Sequence, residues 1–402
     1  MKYIIILGDG MADEPVAMLG GKTPLQYANT PSIDELAGMG KTGMLNTVPE
    51  GFEPGSEIAN LSVLGYNVAD VFEGRGSLEA ASMGIDILQG EMAMRCNLIC
   101  IENGKIKNHS AGHISNPESW ELIHFLNEKL LNERISFYPG VSYRHLLKVV
   151  GGNKQLICTP PHNAMGTPFD EILVKAETKD AVETANLLNN LILRSQQLLE
   201  DHPVNLRRKL AGNDPANSIW PWSPGYKPNM KSLAELFPVT SGAVISAVDL
   251  IKGIGVYAGL KPIDVEGATG LYNTNYEAKA QAAIQALREN DFVYLHIEAS
   301  DEAGHEGDVL LKVKTIEYLD NRIVRPILEE LRTWQEPVTV ALLPDHPTPC
   351  HLKTHTSAPV PFVIYKTMEK GDDVCTYDEF SCRKGYYGSL KGDEFMKAMF
   401  EQ

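Results

Sequence analysis

Three apolar runs in this chain each end in an acid. YIIILGDG (3–10) ends at Asp9, FVYLHIEASDEAGHEGD (292–308) passes from strand-like residues into Asp301 and His305, and VTVALLPDHPTP (338–349) ends at Asp345 and His346. Runs of four to six β-branched and aliphatic residues without polar alternation read as strands covered on both faces. That restricts the chain to an α/β architecture with a buried, mostly parallel sheet. Further strand-like runs at 96–101 and 243–247 alternate with helical patterns at 275–289 and 309–332. In open sheets of this kind, ligands bind beyond the carboxyl ends of the strands. The acids therefore lie where chemistry is expected.

The interval 109–182 has a different rhythm. A helical segment near 117–132 is followed by ISFYPGVSYRHLLKVV, QLICTPPHN and FDEILVK. It reads as a smaller α+β domain inserted into a core made of 1–108 and 183–402. The Pro-, Asn- and Trp-rich stretch 201–230 reads as an irregular crossing. The 402 residues hold 36 Lys and Arg against 52 Asp and Glu, a formal net charge of −16. Such a balance argues against nonspecific nucleic-acid binding. No apolar run approaches the ~20 residues that a membrane span needs. Six cysteines without CxxC spacing point to a reducing cytoplasm rather than a disulfide framework.

Asp301 and His305 are four apart, so one helical turn aims both at one point. His346 follows Asp345, and His355 comes nine residues later. Taken singly, an acid after a strand is ordinarily a turn or cap residue, and a lone His is ordinarily packed or hydrogen-bonded. Together, six carboxylate and imidazole groups suit manganese or zinc and related divalent ions, and exceed what one open catalytic site requires. Ser56, in EGFEPGSEIANLSVLGY (50–66), precedes a helical pattern carrying Ile58, Leu61 and Leu64. It can be a helix cap. It can also be a hydroxyl nucleophile toward phosphorus, with the helix amides receiving the phosphoryl oxygens.

With these residues in place, the chain resembles the alkaline phosphatase superfamily of metalloenzymes. Within it, the likeness is to the 2,3-bisphosphoglycerate-independent phosphoglycerate mutases of archaeal type. The likeness runs from IIILGDGMAD (4–13) through PGSEIANLSVLGY (54–66), GRGSLEAASMGI (74–85), IWPWSPG (219–225) and GATGLYNTNYEAK (267–279) to DEAGHEGD (301–308), PDHPTP (344–349) and HTSAPVPF (355–362). It implies one metal held by Asp301, His305 and His355, and a second held by Asp9, Asp345, His346 and the Ser56 oxygen. Manganese is the first expectation, with zinc, cobalt or magnesium as alternatives, and no 2,3-bisphosphoglycerate. The implied reaction interconverts 3-phosphoglycerate and 2-phosphoglycerate through phosphorylated Ser56. The same scaffold also serves a homoserine kinase-type phosphotransferase or a phosphate-ester or phosphonate hydrolase.

A phosphorylated acid needs fixed cations. The candidates are Arg75, Arg95, His109, Arg144, His162 and Lys252. Arg75 lies between glycines, where backbone can approach a ligand. The insert, carrying Arg144, is expected to act as a lid that excludes water during transfer.

Overall fold

The computed structural model describes residues 1–401 and separates into two compact units, Met1–Phe72 with Asn229–Gln402, and Glu73–Pro228. The first unit is built on an eight-stranded sheet. Its strands lie in the order Lys261–Ile263, Gly242–Ile245, Phe292–Ile297, Lys2–Gly8, Val338–Leu343, Val360–Lys366, Lys41–Asn46 and Gly388–Lys391. All run in one direction except Val360–Lys366, which is antiparallel to both neighbours. Ile4, Ile5, Ile6, Val293, Leu295, Val340 and Leu342 are fully buried, which is why these strands lack polar alternation.

The register decides where the acids fall. Gly8 lies opposite Ile297 and Leu7 opposite Leu343. The three acid-tipped strands are thus central neighbours that end at one level. Helix Tyr276–Glu289 is capped by the Asn275 side chain, which accepts from the Ala278 amide. The expected helix 309–332 is three consecutive pieces: Val309–Leu319, a π-helical turn Asp320–Val324, and Arg325–Leu331. Pro326 lacks the N–H that regular α-helical bonding needs at that point, which accounts for the interruption. Buried Asp320 uses the break to accept the amides of Ser32 (2.8 Å) and Ile33 (2.7 Å). It thereby caps helix Pro31–Met39, whose own Thr30 side chain makes no capping bond.

The second unit is wider than the 109–182 insert expected from sequence. It begins at Glu73 and ends at Pro228. The strand read at 96–101 is Glu91–Glu102 and belongs here, paired antiparallel with Arg144–Val150, Lys105–Asn108 and Ser218–Gly225. The last of these strands corrects the irregular reading of 201–230, which also contains helix Pro203–Leu210. Its prolines are tolerated because it pairs on one side only, against Glu91–Glu102. Helix Val182–Leu199, assigned by sequence to the larger domain, packs Leu188, Leu191 and Ile192 into the same core as Leu98, Phe137, Leu147 and Trp220. The boundary reading failed because a long edge strand and a helix outside 109–182 complete this core.

Candidate metal and phosphoryl-transfer site

Asp9 directly follows strand Lys2–Gly8, and Asp345 stands two residues beyond Val338–Leu343. Asp301 and His305 lie on helix Ala299–Glu306, which starts just after Phe292–Ile297. Gly10 makes the junction possible. It adopts φ 60°, and a Cβ there would fall 2.6 Å from both an Asp301 carboxylate oxygen and the Thr348 hydroxyl.

The side chains meet in two groups. In one, His305 Nε2 is 3.2 Å from Asp301 Oδ2 and 2.9 Å from His355 Nε2, and His355 Nε2 is 3.4 Å from Asp301 Oδ1. In the other, His346 Nε2 lies 3.8 Å from Asp9 Oδ1, 3.4 Å from Asp345 Oδ2 and 3.2 Å from Ser56 Oγ. The His346 and His355 rings stack with centroids 3.9 Å apart and join the groups. All seven residues expected around the ions are thereby brought together.

Ser56 corrects the capping alternative. Gly55 is the N-cap of helix Ser56–Val63 and Ser56 is its first residue. Its hydroxyl turns toward His346 rather than back onto the helix amides.

The electrostatics fit a cation. Asp9 is fully buried, and its Oδ1 has no hydrogen-bond partner among the described residues. Burial, then the charges of Asp345, Glu298 and Asp301, push its carboxyl well above the usual range. Burial also acts on Asp301, but hydrogen bonds from His305 and His355 hold it well below that range. The bond to Asp301 raises His305 to about 9, while burial lowers His346. Two imidazole nitrogens facing each other across a carboxylate, and an orphaned carboxylate oxygen beside a third imidazole, are a donor set suited to divalent metal.

Several participants were missed in the sequence. Asn60 Nδ2 donates to the Ser56 carbonyl (2.8 Å) and to Asp345 Oδ2 (2.9 Å), and Asn60 Oδ1 accepts from Tyr294. It ties the serine helix to a ligand. Its signal was a polar residue one turn after Ser56 on an otherwise buried helix. His296 and Glu298 form a further group with Asp9; a histidine inside the apolar FVYLHI was their signal. Thr348 donates to Asp301 Oδ1.

Five of the six candidate substrate cations belong to the second unit. Burial lowers His162, with the charges of His109, Arg95 and Arg75 adding to it. Arg95 is also lowered by burial, opposed by Glu79 and reinforced by Arg75 and Arg144. Its guanidinium lies 4.4 Å from the Trp222 ring centroid and its Nε is 3.0 Å from Glu79. The His109 and His162 rings are 6.2 Å apart. Lys252 belongs to the first unit, where it pairs with Asp264 at 2.6 Å. The glycines around Arg75 serve packing: a Cβ at Gly74 would strike the Pro224 carbonyl, and one at Gly76 would meet the Ala93 carbonyl at 2.4 Å.

Comparison with known proteins decides the family. A 2,3-bisphosphoglycerate-independent phosphoglycerate mutase of Methanosarcina acetivorans is 50% identical over 98% of both chains. The chain belongs to the 2,3-bisphosphoglycerate-independent phosphoglycerate mutases. The family pattern of that description matches residues 37–205. A solved structure from Pyrococcus horikoshii is 30% identical, with a TM-score of 0.83, over 99% of this chain and 96% of its own. A cofactor-independent phosphoglycerate mutase from Thermoplasma acidophilum is 26% identical, with a TM-score of 0.70, over 99% of both. The mutase family membership favours an isomerase over the kinase and hydrolase readings. No helix among the described residues is long and apolar enough to cross a membrane.

Proposed function

We propose that this chain performs its family's reaction, the interconversion of 3-phosphoglycerate and 2-phosphoglycerate, through a phosphorylated Ser56. The observation that supports this most is the placement of the Ser56 hydroxyl, 3.2 Å from His346 Nε2 at the edge of a buried carboxylate and imidazole cluster. Two divalent ions, manganese before zinc, cobalt or magnesium, would be held by Asp301, His305 and His355 and by Asp9, Asp345, His346 and Ser56. When bound, they would supply positive charge that lowers the serine pKa and offsets phosphoryl charge.

The chain's own residues then do the following. Ser56 Oγ, freed of its proton, forms a bond to phosphorus in line with the departing glycerate oxygen, which takes up a proton. The other glycerate hydroxyl loses a proton and attacks phosphoserine, and Ser56 regains its own, so no net proton is consumed. Asn60 holds the serine helix in register with Asp345 throughout. Arg75, Arg95, Arg144, His109 and His162 form an anion-binding group suited to a phosphorylated acid. Lys252, with its Asp264 partner, is the sixth contact candidate. Six free thiols fit a reducing, cytoplasmic setting.

The test offers purified protein and Mn²⁺ to 3-phosphoglycerate, without bisphosphoglycerate, and follows 2-phosphoglycerate by phosphorus NMR. Rapid quench with phosphorus-labelled substrate should place label on peptide 51–66. Chelation should abolish turnover, and Mn²⁺ should restore it. Full turnover in protein verified metal-free, or a peptide that never takes label, overturns the mechanism.

A further inference from the structure

His296 sits in the middle of the buried core of the first unit, inside strand Phe292–Ile297, with no exposed surface. Its Nε2 lies 2.8 Å from Asp9 Oδ2. Its Nδ1 lies 3.1 Å from Ser246 Oγ, and Ser246 Oγ accepts the Val248 amide at 2.9 Å. With Asp9 ionised, as a metal ligand must be, and the buried ring neutral, these contacts have one consistent proton arrangement. An ionised Asp9 only accepts, so Nε2 carries the ring proton. Nδ1 is then an acceptor and takes the Ser246 hydroxyl proton. The chain runs in one direction, from Val248 N–H through Ser246 O–H and His296 N–H to Asp9. Glu298 Oε2, at 3.6 Å from the same Nε2, is beyond hydrogen-bond reach, so the single N–H is committed to Asp9.

The consequence falls on the other oxygen. Asp9 Oδ1 is left without a hydrogen-bond partner among the described residues, and it is the oxygen that faces His346 Nε2, at 3.8 Å. We propose that His296, oriented by Ser246, is a positioning residue that ties up one Asp9 oxygen and presents the other, Oδ1, as a single-oxygen ligand to the ion shared with Asp345 and His346. The same arrangement argues against a third cation site among Asp9, His296 and Glu298, because the imidazole turns a proton and no lone pair toward the two carboxylates. This inference rests on the reading of Asp9 as a metal ligand.

The experiment titrates metal-free full-length protein with Mn²⁺ by calorimetry, comparing wild type with His296→Leu, His296→Gln and Ser246→Ala. Loss of a hydrogen bond to a ligand typically costs about 10–100-fold in metal affinity. The expected result is a loss of that size at one of two sites in His296→Leu, with the other site unchanged. His296→Gln can still offer an N–H near the Nε2 position and should stay within a few-fold of wild type. Ser246→Ala releases the ring and should weaken the same site by several-fold. A purely structural histidine would lower thermal stability in all three while leaving both affinities equal to wild type, and that outcome overturns the proposal. His296→Gln as damaging as His296→Leu, or a third bound ion in wild type, overturns it too. Should His296→Leu not fold, unchanged affinity in Ser246→Ala rejects the proposal alone. Wild type that binds no divalent ion would instead reject the metal-site reading itself.

Discussion

Ser56 stands first in its helix, behind a glycine cap, and so carries no capping bond to lose. Ser56→Ala is therefore expected to cost clearly less than the about 0.5–2 kcal/mol of a lost cap, measured by denaturant unfolding. Its turnover should nevertheless fall by several orders of magnitude. Ser56→Asp should fail as well, since a carboxylate cannot serve as the phosphoryl-accepting alkoxide. A stable Ser56→Ala with near-normal turnover would reject the nucleophile. His145 makes a second residue-scale point. It is buried in strand Arg144–Val150 and accepts the Gly140 amide at Nδ1 (3.0 Å), and burial pushes it down to about 3. A depressed histidine leaves the unfolded chain as the better proton binder at intermediate pH. Its contribution to stability is complete above about pH 6.5 and is lost as pH falls toward 3. The melting temperature of wild type should drop through that window. His145→Asn, which keeps an acceptor for Gly140, should flatten the drop by up to about 1.4 kcal/mol per pH unit; an unchanged pH profile would contradict the assignment.

Between elements, Lys312 does what no ligand does for itself. It lies on helix Val309–Leu319, is fully buried, and its ammonium donates to the Ala12 carbonyl (3.0 Å), the Thr348 carbonyl (2.8 Å) and Asp13 Oδ2 (2.8 Å). Asp13 also receives the Cys350 amide. One side chain thus joins the loop after Asp9 to the loop after His346. Removing one partner of a buried ion pair leaves the other charge uncompensated, at a cost of about 3–5 kcal/mol. Lys312→Met should destabilise the metal-free protein by that amount in urea unfolding. Adding Asp13→Asn should recover part of it. If the double variant is no more stable than the single one, the pair is not the source of the loss.

At the scale of the whole molecule, Glu73–Pro228 is one continuous segment with its own sheet and its own core. Expressed alone, it should unfold cooperatively by circular dichroism, and it should bind 3-phosphoglycerate weakly through its basic group. Arg144→Ala in the full chain should weaken substrate binding while leaving metal content unchanged; loss of metal as well would assign Arg144 a structural role. Much of the molecule was already legible in the chain. The apolar runs dictated buried parallel strands because a strand covered on both faces cannot alternate polar and apolar residues. The four-residue spacing of Asp301 and His305 dictated a shared helical face. Motif order along the chain carried the family, and with it the seven clustered residues. What sequence could not decide was anything set by contacts between distant elements. The edges of the second unit depend on an edge strand and a helix that complete its core from outside the expected interval. Whether Ser56 caps its helix depends on where Gly55 places the first turn. Local pattern marks His296 and Asn60 as polar residues in apolar runs, but it cannot name the partners of His296, Asn60 and Lys312, because register and packing bring Asp9, Asp345 and Thr348 within hydrogen-bond reach across separations of 287, 285 and 36 residues, respectively.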